Sequence, residues 1–372
     1  MGALERSDAD DAALMISLEE PMKRRSLLGA ALTTPALAMA TAASPALAQD
    51  KITLRMATSW SGGYTMELMA NAYAEEVARL TDGRITIETY PGGTLGSALE
   101  VSDLVRNGVA DMGHTWMGYD WGEDRTTILF GGFAGSFDSE RMLHWLYVGG
   151  GRELWQEFRA DKFDLVSMPL GIRTPEVFLH SNKPVRTLED FQGLKLRTAG
   201  AWLEISSELG AAPVTAPMGE VYTMLERGVV DAVESGSLGE NQTSGFHQVA
   251  KYVILPGAHQ PVAPFELVIS PRVWEGFSEA DRALLQDAAR LVTLDCWMTF
   301  GQRDALAKTF YEDEGNEVID LAPEVQKAIY QAGAAYAERN AQENEWFARV
   351  WQSQKEFDAL WQGAERYRKI ER

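Results

Sequence analysis

One cysteine, Cys296, is all the chain carries, so no intramolecular disulfide can form and cysteine usage says nothing about redox compartment. The five histidines, His114, His144, His180, His247 and His259, are scattered without HExxH or paired metal-ligand spacing. Each is therefore expected to be an ordinary core or surface residue. A GxSxG elbow is absent, and Cys296 falls inside a helical pattern without a nucleophile signature, which leaves serine or cysteine hydrolysis without an anchor. The glycine-rich turns at Gly92 and Gly93 and at 149–151 match neither GxGxxG nor GxxxxGK after a strand, so they read as tight turns rather than phosphate loops. Basic runs are missing from the body of the chain and the formal net charge is −20, a balance that excludes nonspecific nucleic-acid binding.

What is present is a chain of 372 residues, 45% hydrophobic, long enough for two ordinary domains with sizeable cores. Its N-terminus stands apart. Lys23, Arg24 and Arg25 precede an apolar, alanine-rich run that ends at Ala46, Leu47 and Ala48, the parts of an export signal cleaved after Ala48. The paired arginines before Ser26, Leu27 and Leu28 resemble a twin-arginine signal, which implies export to the periplasm after folding. Small residues with Pro35 and Pro45 make the same run a poor bilayer span. Six acids (Glu5, Asp8, Asp10, Asp11, Glu19 and Glu20) lie ahead of it, where a signal has none, so Met22 is the expected start. Removing residues 1–48 takes away these six acids and four bases (Arg6, Lys23, Arg24 and Arg25), and the charge becomes −18.

Downstream, Ile52, Leu54 and Met56 alternate as in a strand, and Met66, Met69, Ala70, Tyr73, Val77 and Leu80 recur at helical spacing until Asp82 and Gly83. A strand at 84–89 follows. Ser97 and Glu100 have the spacing of a capping box for a helix that stops at Asn107 and Gly108, before a strand through His114 and Trp116. Strand, helix, strand, helix, strand is the order of a parallel sheet. A similar order returns at 194–234, and 106–111 (RNGVAD) matches 226–231 (ERGVVD) closely enough to suggest two lobes on one plan. Residues 171–175 and the prolines Pro256 and Pro261 mark two crossovers, which predict a hinged cleft. The expected lobes are 51–170 with 258–298, and 171–257 with 299–372. Ser278 and Asp281 open a long helix, and Pro323 a helical tail bearing Tyr330, Tyr336, Trp346, Phe347, Trp351, Phe357 and Trp361, which must dock on the body or on a second copy.

Against this background Arg197 stands out. It ends an apolar and basic strand at 194–197, and a buried guanidinium needs an anionic partner. Its fork matches a carboxylate bidentately, so the partner is either a ligand carboxylate or one of two glutamates at strand ends in the same half, Glu176 and Glu234. The same two acids also allow a different class of function, a periplasmic enzyme with an acid and base pair.

The segments GLKLRTAG at 193–200, EVYTMLERGVVDAVES at 220–235 and GFHQVAKYVILPG at 245–257 resemble the DctP-type solute receptors of TRAP transporters. HTW at 114–116 and GGGRELWQEF at 149–158 resemble the branch that includes receptors for 2-oxo and other monocarboxylic acids. The resemblance implies a two-lobed α/β receptor of the periplasmic binding protein (type II-like) class, with an interlobe ligand cleft and long C-terminal helices. Such a receptor closes on a small organic carboxylate and hands it to membrane subunits; a role beside a sensor instead of a transporter is the alternative within the same fold. The family's carboxylate-binding arginine falls on Arg197. In the 2-oxo acid branch a glutamine, a glutamate and the next residue help hold a bridging cation, and those positions fall on Glu176, Glu234 and Ser235. Glutamate for glutamine at 176 and serine for an aromatic at 235 are departures. Two carboxylates suit calcium better than sodium, or alternatively an amino group on the ligand. Trp60, Trp116, Phe133 and Trp202 are candidate walls or core. The branch also implies a homodimer through the C-terminal helix.

Overall fold

The architecture is taken from a computed structural model that describes residues 50–368. The expected export signal and early start at 1–48 lie outside the described residues. In chain order the strands are β1 (Ile52–Thr58), β2 (Ile85–Tyr90), β3 (Met112–Thr115), β4 (Val166–Arg173), β5 (Val177–Ser181), β6 (Lys195–Arg197), β7 (Ala212–Val214), β8 (Ala232–Ser235), β9 (Tyr252–Leu255), β10 (Ala263–Ile269) and β11 (Glu317–Asp320). They form two sheets, ordered β2-β1-β3-β10-β4 and β11-β9-β5-β8-β6-β7. Each sheet contains a parallel trio built as strand, helix, strand, helix, strand, β2-β1-β3 and β7-β6-β8, and each is completed by antiparallel strands that arrive from crossovers.

The two units share their stop signal as well as their order. Gly108 and Gly228 follow the helices Val101–Arg106 and Met218–Glu226 with φ of 71° and 68°, a left-handed turn that glycine adopts without steric cost. Three residues on, Asp111 accepts a hydrogen bond from Arg55 N at 2.9 Å, and Asp231 accepts one from Lys195 N at 3.0 Å. Each aspartate thus clamps the neighbouring strand of its own sheet. The match between 106–111 and 226–231 is a structural repeat.

Some local expectations shift. Ser97 does not cap the helix at 101–106; its Oγ accepts from Leu99 N at 3.4 Å and closes a local turn, an outcome that competes with capping for any serine. Ser278 caps as expected, accepting from Asp281 N at 3.1 Å at the start of the 35-residue helix Glu279–Asp313. The helix expected from Met66 to Leu80 is present with a π-helical stretch, Met66–Asn71, ahead of Ala72–Leu80.

The chain passes between the sheets more often than the expected two crossovers. It crosses at 174–176, at 256–262, and a third time along Glu279–Asp313, which packs on β4 and on the helix Leu238–Ser244. The tail is two helices, Pro323–Glu343 and Glu345–Arg368. The second, assigned with the second lobe from sequence, packs instead on the helices Ser139–Val148 and Gly151–Phe163 that connect strands of the first sheet. Phe347 and Val350 are fully buried there, Trp346 meets Phe158 edge to face at 5.6 Å, and Phe357 meets Phe137 at 6.0 Å. The aromatic face that demanded a partner has it within the same chain. No helix among the described residues is long and apolar enough to cross a membrane.

Candidate functional site

Sheet pairing brings the sequence-distant acids together. β6 and β8 run parallel with Arg197 opposite Val233, which places Glu234 one residue beyond the arginine, while β5 runs antiparallel to β8 with Val177 opposite Ser235. Glu176, just before β5, therefore lies beside Glu234. The loop at 256–262 is pressed onto Glu176: Glu176 N donates to Gln260 O at 3.1 Å, and a Cβ at Gly257 would lie 2.2 Å from Glu176 O, so only glycine fits. This close approach delivers His259 into the cluster.

The resulting cavity has an accessible volume of about 60 Å³. Roughly 10–15 Å³ on this measure holds one water, so the space suits a ligand of a few heavy atoms. One wall comes from the first sheet and its connections, with Trp60, Trp116, Tyr119 and Phe265; the other comes from the second, with Arg197, Trp202, Glu234 and Ser235. Arg173, at the end of β4, and Glu176, Glu240 and His259 complete it.

Three arginines are buried among the described residues, and they differ in their partners. Arg159 donates to Glu266 at 3.0 Å and to Asp120 at 2.6 Å. Arg173 donates to Glu240 at 2.6 Å and also to Glu176. Arg197 has no such carboxylate. Its Nε and Nη2 donate to Ala216 O at 3.2 and 2.7 Å, its Nη1 donates to Glu234 O at 3.2 Å, and the Glu234 carboxylate stands off at 3.8 Å. Backbone carbonyls thus fix the plane of the guanidinium, and one N–H on Nη1 and one on Nη2 remain, the pair that a carboxylate engages bidentately.

His259 Nε2 lies 3.3 Å from Glu176 Oε2 and 3.5 Å from Glu234 Oε2. Burial pulls its pKa down, but hydrogen bonds and charge from the two glutamates outweigh this and raise it to about 9. Burial pushes the Glu176 carboxyl above its ordinary value despite Arg173. Burial acts in the same sense on Glu234, but His259 and Arg197 more than offset it and hold that carboxyl below the usual range. Glu234 also accepts from Ala199 N at 3.1 Å. With His259 protonated, Arg173, Arg197 and His259 balance Glu176, Glu234 and Glu240.

The opposite wall is aromatic and uncharged. Trp60 Nε1 donates to His114 Nδ1 at 2.6 Å, and His114 Nε2 pairs with Leu170 O at 2.9 Å, an arrangement that requires the neutral ring. Burial lowers the pKa of His114 to about 4. Trp60 meets Phe265 edge to face at 5.2 Å, and Trp116 meets Tyr119 likewise at 5.3 Å, with Trp116 Nε1 anchored on Gly131 O at 2.8 Å.

Of the residues singled out from sequence, Arg197, Glu176, Glu234, Ser235, Trp60, Trp116 and Trp202 all line this cavity. Phe133 does not. It is buried in the core and packs edge to face on Trp351 at 6.2 Å, because the C-terminal helix covers the segment that carries it. Sequence reasoning missed Arg173, Glu240 and His259, and it placed His259 with the ordinary histidines.

Comparison with known proteins settles the family. Residues 56–344 match the family of bacterial extracellular solute-binding proteins, family 7, DctP. The chain belongs to this family. The monocarboxylate 2-oxoacid-binding periplasmic protein of Nostoc sp. is 27% identical over 351 residues, covering 90% of this chain and 94% of the relative. Among solved DctP-type folds, a TRAP periplasmic solute-binding protein of Pseudoalteromonas atlantica, with sodium and pyruvate bound, superimposes with a TM-score of 0.79 at 25% identity. It covers 87% of this chain and all of that one. A TRAP transporter solute-binding protein of Bordetella bronchiseptica, a mixed-occupancy dimer with calcium and picolinate in its bound site, gives 0.80 at 24% identity over 86% and 96% of the two chains. The DctP family is one of periplasmic solute-binding receptors rather than enzymes, and the two-lobed α/β fold with long C-terminal helices is that of its TRAP receptors.

Proposed function

We propose that the chain is the substrate-binding subunit of a TRAP transporter, which captures a small carboxylate between its lobes and delivers it to the membrane subunits. The observation that carries this reading is Arg197: a buried arginine held by two backbone carbonyls, with a matched pair of donors left over, in a cavity of a few heavy atoms. The other two buried arginines are each hydrogen-bonded to two carboxylates, although Arg159 Nη1 and Arg173 Nε have no partner, so Arg197, with no hydrogen-bonded carboxylate, is the one suited to an incoming anion.

A cation accompanies the ligand in this reading. The cavity is charge-balanced before a ligand enters, so a carboxylate adds one uncompensated negative charge in a buried site. Ligand atoms of Glu176, Glu234 and His259 lie within 4.8 Å of one another; the two carboxylates can coordinate as they stand, whereas the protonated His259 would first have to give up its Nε2 proton. Carboxylate oxygens are the donors that calcium and sodium favour, and Glu176 and Glu234 would hold such an ion. It would supply positive charge shared with the ligand. The Pseudoalteromonas receptor, with sodium and pyruvate, supports the combination.

Calorimetry of the protein with pyruvate, in calcium and again after chelation, tests both parts. Saturable binding that weakens at least about tenfold on chelation is expected, since a shared cation contributes to ligand affinity by mass action. Equal affinity in both conditions would remove a divalent cation, equal affinity with sodium also replaced by a bulky organic cation would remove the cation altogether, and no binding of pyruvate, lactate or picolinate in any condition would remove the carboxylate reading.

A further inference from the structure

The cavity contains two arginines, and a second arginine would ordinarily invite a second carboxylate. Here both of its terminal nitrogens are taken by carboxylates, and Nε alone has no partner. Arg173 Nη1 donates to Glu240 Oε2 at 2.6 Å and its Nη2 donates to Glu176 Oε1, while its guanidinium carbon stands 5.2 Å from the Phe265 ring centroid. Glu176 and Glu240 come from different elements, the crossover before β5 and the helix Leu238–Ser244, and converge on one guanidinium. Glu240 is fixed there by its own helix, since it completes the capping box of Ser237.

The contrast with Arg197 is one of charge rather than of donor number. Carbonyl oxygens at Arg197 orient the fork and its nearest carboxylate, Glu234, stands off at 3.8 Å, whereas at Arg173 the carboxylates of Glu176 and Glu240 are hydrogen-bonded to Nη2 and Nη1, so an anion there meets two carboxylates that the protonated His259 beside Glu176 offsets only in part. A ligand carboxylate placed there would face Glu176 and Glu240 at contact distance in a buried site, where like charges repel strongly. The volume of about 60 Å³ leaves little room for a second carboxylate away from Arg173 while the first stays on Arg197.

We infer that Glu176 and Glu240, by occupying Arg173, make this receptor select monocarboxylates and reject the dicarboxylates that differ from them by one added carboxylate. The inference rests on the carboxylate reading above and adds the residues that set its specificity. Rejection by a repulsive element is as much a part of specificity as attraction of the right ligand. Arg173 and Glu240 are in this account specificity residues, and Arg197 remains the residue that holds the ligand.

Matched ligand pairs test it: pyruvate against oxaloacetate, and lactate against malate, measured by calorimetry on wild-type protein and on Glu240→Gln. The wild type is expected to bind the monocarboxylate at least about tenfold more tightly within each pair, and E240Q, which frees Nη1 of Arg173, to narrow that ratio at least about fivefold, the scale on which one charge contact changes affinity. Thermal unfolding of E240Q checks that it is folded, and the wild-type ratio decides even if it is not. A wild type that binds the dicarboxylates as tightly as the monocarboxylates overturns the inference, as does a folded E240Q with an unchanged ratio. If the wild type binds either class and Arg197→Ala abolishes it, the carboxylate reading stands whatever the ratio; if it binds neither, both fall.

Discussion

The two halves of the cleft are built on one scaffold and chemically opposed. In each, a helix ends at a left-handed glycine and an aspartate three residues later clamps the adjacent strand, Asp111 on Arg55 and Asp231 on Lys195. Counting three residues on from each aspartate gives His114 in the first half and Glu234 in the second; counting two on from the clamped residue gives Ala57 and Arg197. At equivalent positions one half has a neutral imidazole and a methyl group, and the other a carboxylate and a guanidinium. The repeat positions strand ends at the cleft, and what happens there depends on side chains the repeat does not specify. The second half holds ligand charge through Arg197; the first closes over it with tryptophan and tyrosine, and its one charged contribution, Arg173 at the end of β4, is paired with Glu176 and Glu240 from beyond its own sheet.

The largest expected effect comes from making the second half resemble the first at its most distinctive position. Arg197→Ala puts the alanine of Ala57 at the equivalent site and removes the bidentate donor pair. Loss of one partner of a buried, hydrogen-bonded charge pair costs about 2–5 kcal/mol, so pyruvate affinity should fall by at least about thirtyfold and in practice below detection. The fold should survive, since Arg197 bonds only to backbone carbonyls, and Glu234, 3.8 Å from it, keeps His259 and Ala199 N as partners. Calorimetry gives the affinity and circular dichroism the fold; near wild-type affinity in a folded variant would return Arg197 to a structural role.

A smaller effect separates the halves by pH. His114 is buried and neutral, with its pKa lowered to about 4. Between its ordinary value and about 4 the unfolded chain takes up a proton at this position and the folded chain does not, so stability falls as pH drops through that window and is fully retained above it. A shift of this size corresponds to about 3 kcal/mol by pH 4, on the scale of 1.36 kcal/mol per unit. His180, lowered to about 3 by burial and by His247, adds to the same acid limb from the second sheet. His114→Gln should flatten the limb, leaving the share of His180. Denaturant midpoints at pH 7, 5 and 4 measure it, and parallel losses in wild type and variant would show that His114 titrates as it does in the unfolded chain.

Much of the scaffold was legible in the sequence because it rests on local signals. Alternation, helical spacing and glycine stops depend on neighbours in the chain, and they located β1, β2, β6, β8 and the long helix within a few residues. Arg197, Glu176 and Glu234 were legible for a related reason: each sits at a strand end, where an ionisable group has no reason to be unless something meets it. His259 was not legible. It lies in a loop after β9, and nothing adjacent marks it; its role comes from Gly257 packing against the backbone of Glu176, a contact 81 residues away in sequence. A glycine at the turn was visible, but which backbone it approaches was not. Phe133 failed in the opposite sense. An aromatic near a cleft segment serves equally as wall or core, and the helix that decided for core begins more than 200 residues later. The same helix, Glu345–Arg368, was visible as an aromatic face in need of cover, while the surface that covers it was not.

The smallest expected effect tests the repeat itself. If Asp111 and Asp231 do the same work, Asp111→Ala and Asp231→Ala should destabilise the protein by similar amounts, about 1–2 kcal/mol each, around the lower end of the range of about 1.5–3 kcal/mol for a hydrogen bond to a charged group because both aspartates are partly exposed. Their exposure is matched, 21% for both side chains, but Arg55 stands 3.5 Å from Asp111 while Asp231 accepts directly from Lys183 at 2.9 Å and also lies near Lys195. The Lys183 pair is exposed and adds little, which keeps the comparison fair. Neither aspartate touches the cavity, so pyruvate affinity should be unchanged within about twofold in both variants, well below the step that a lost contact produces. Unequal stability losses would mean that the two clamps, alike in geometry, do not carry the same load. Equal losses with a drop in affinity only for Asp231→Ala would show that the clamp on Lys195 also sets the position of Arg197, two residues further along the same strand.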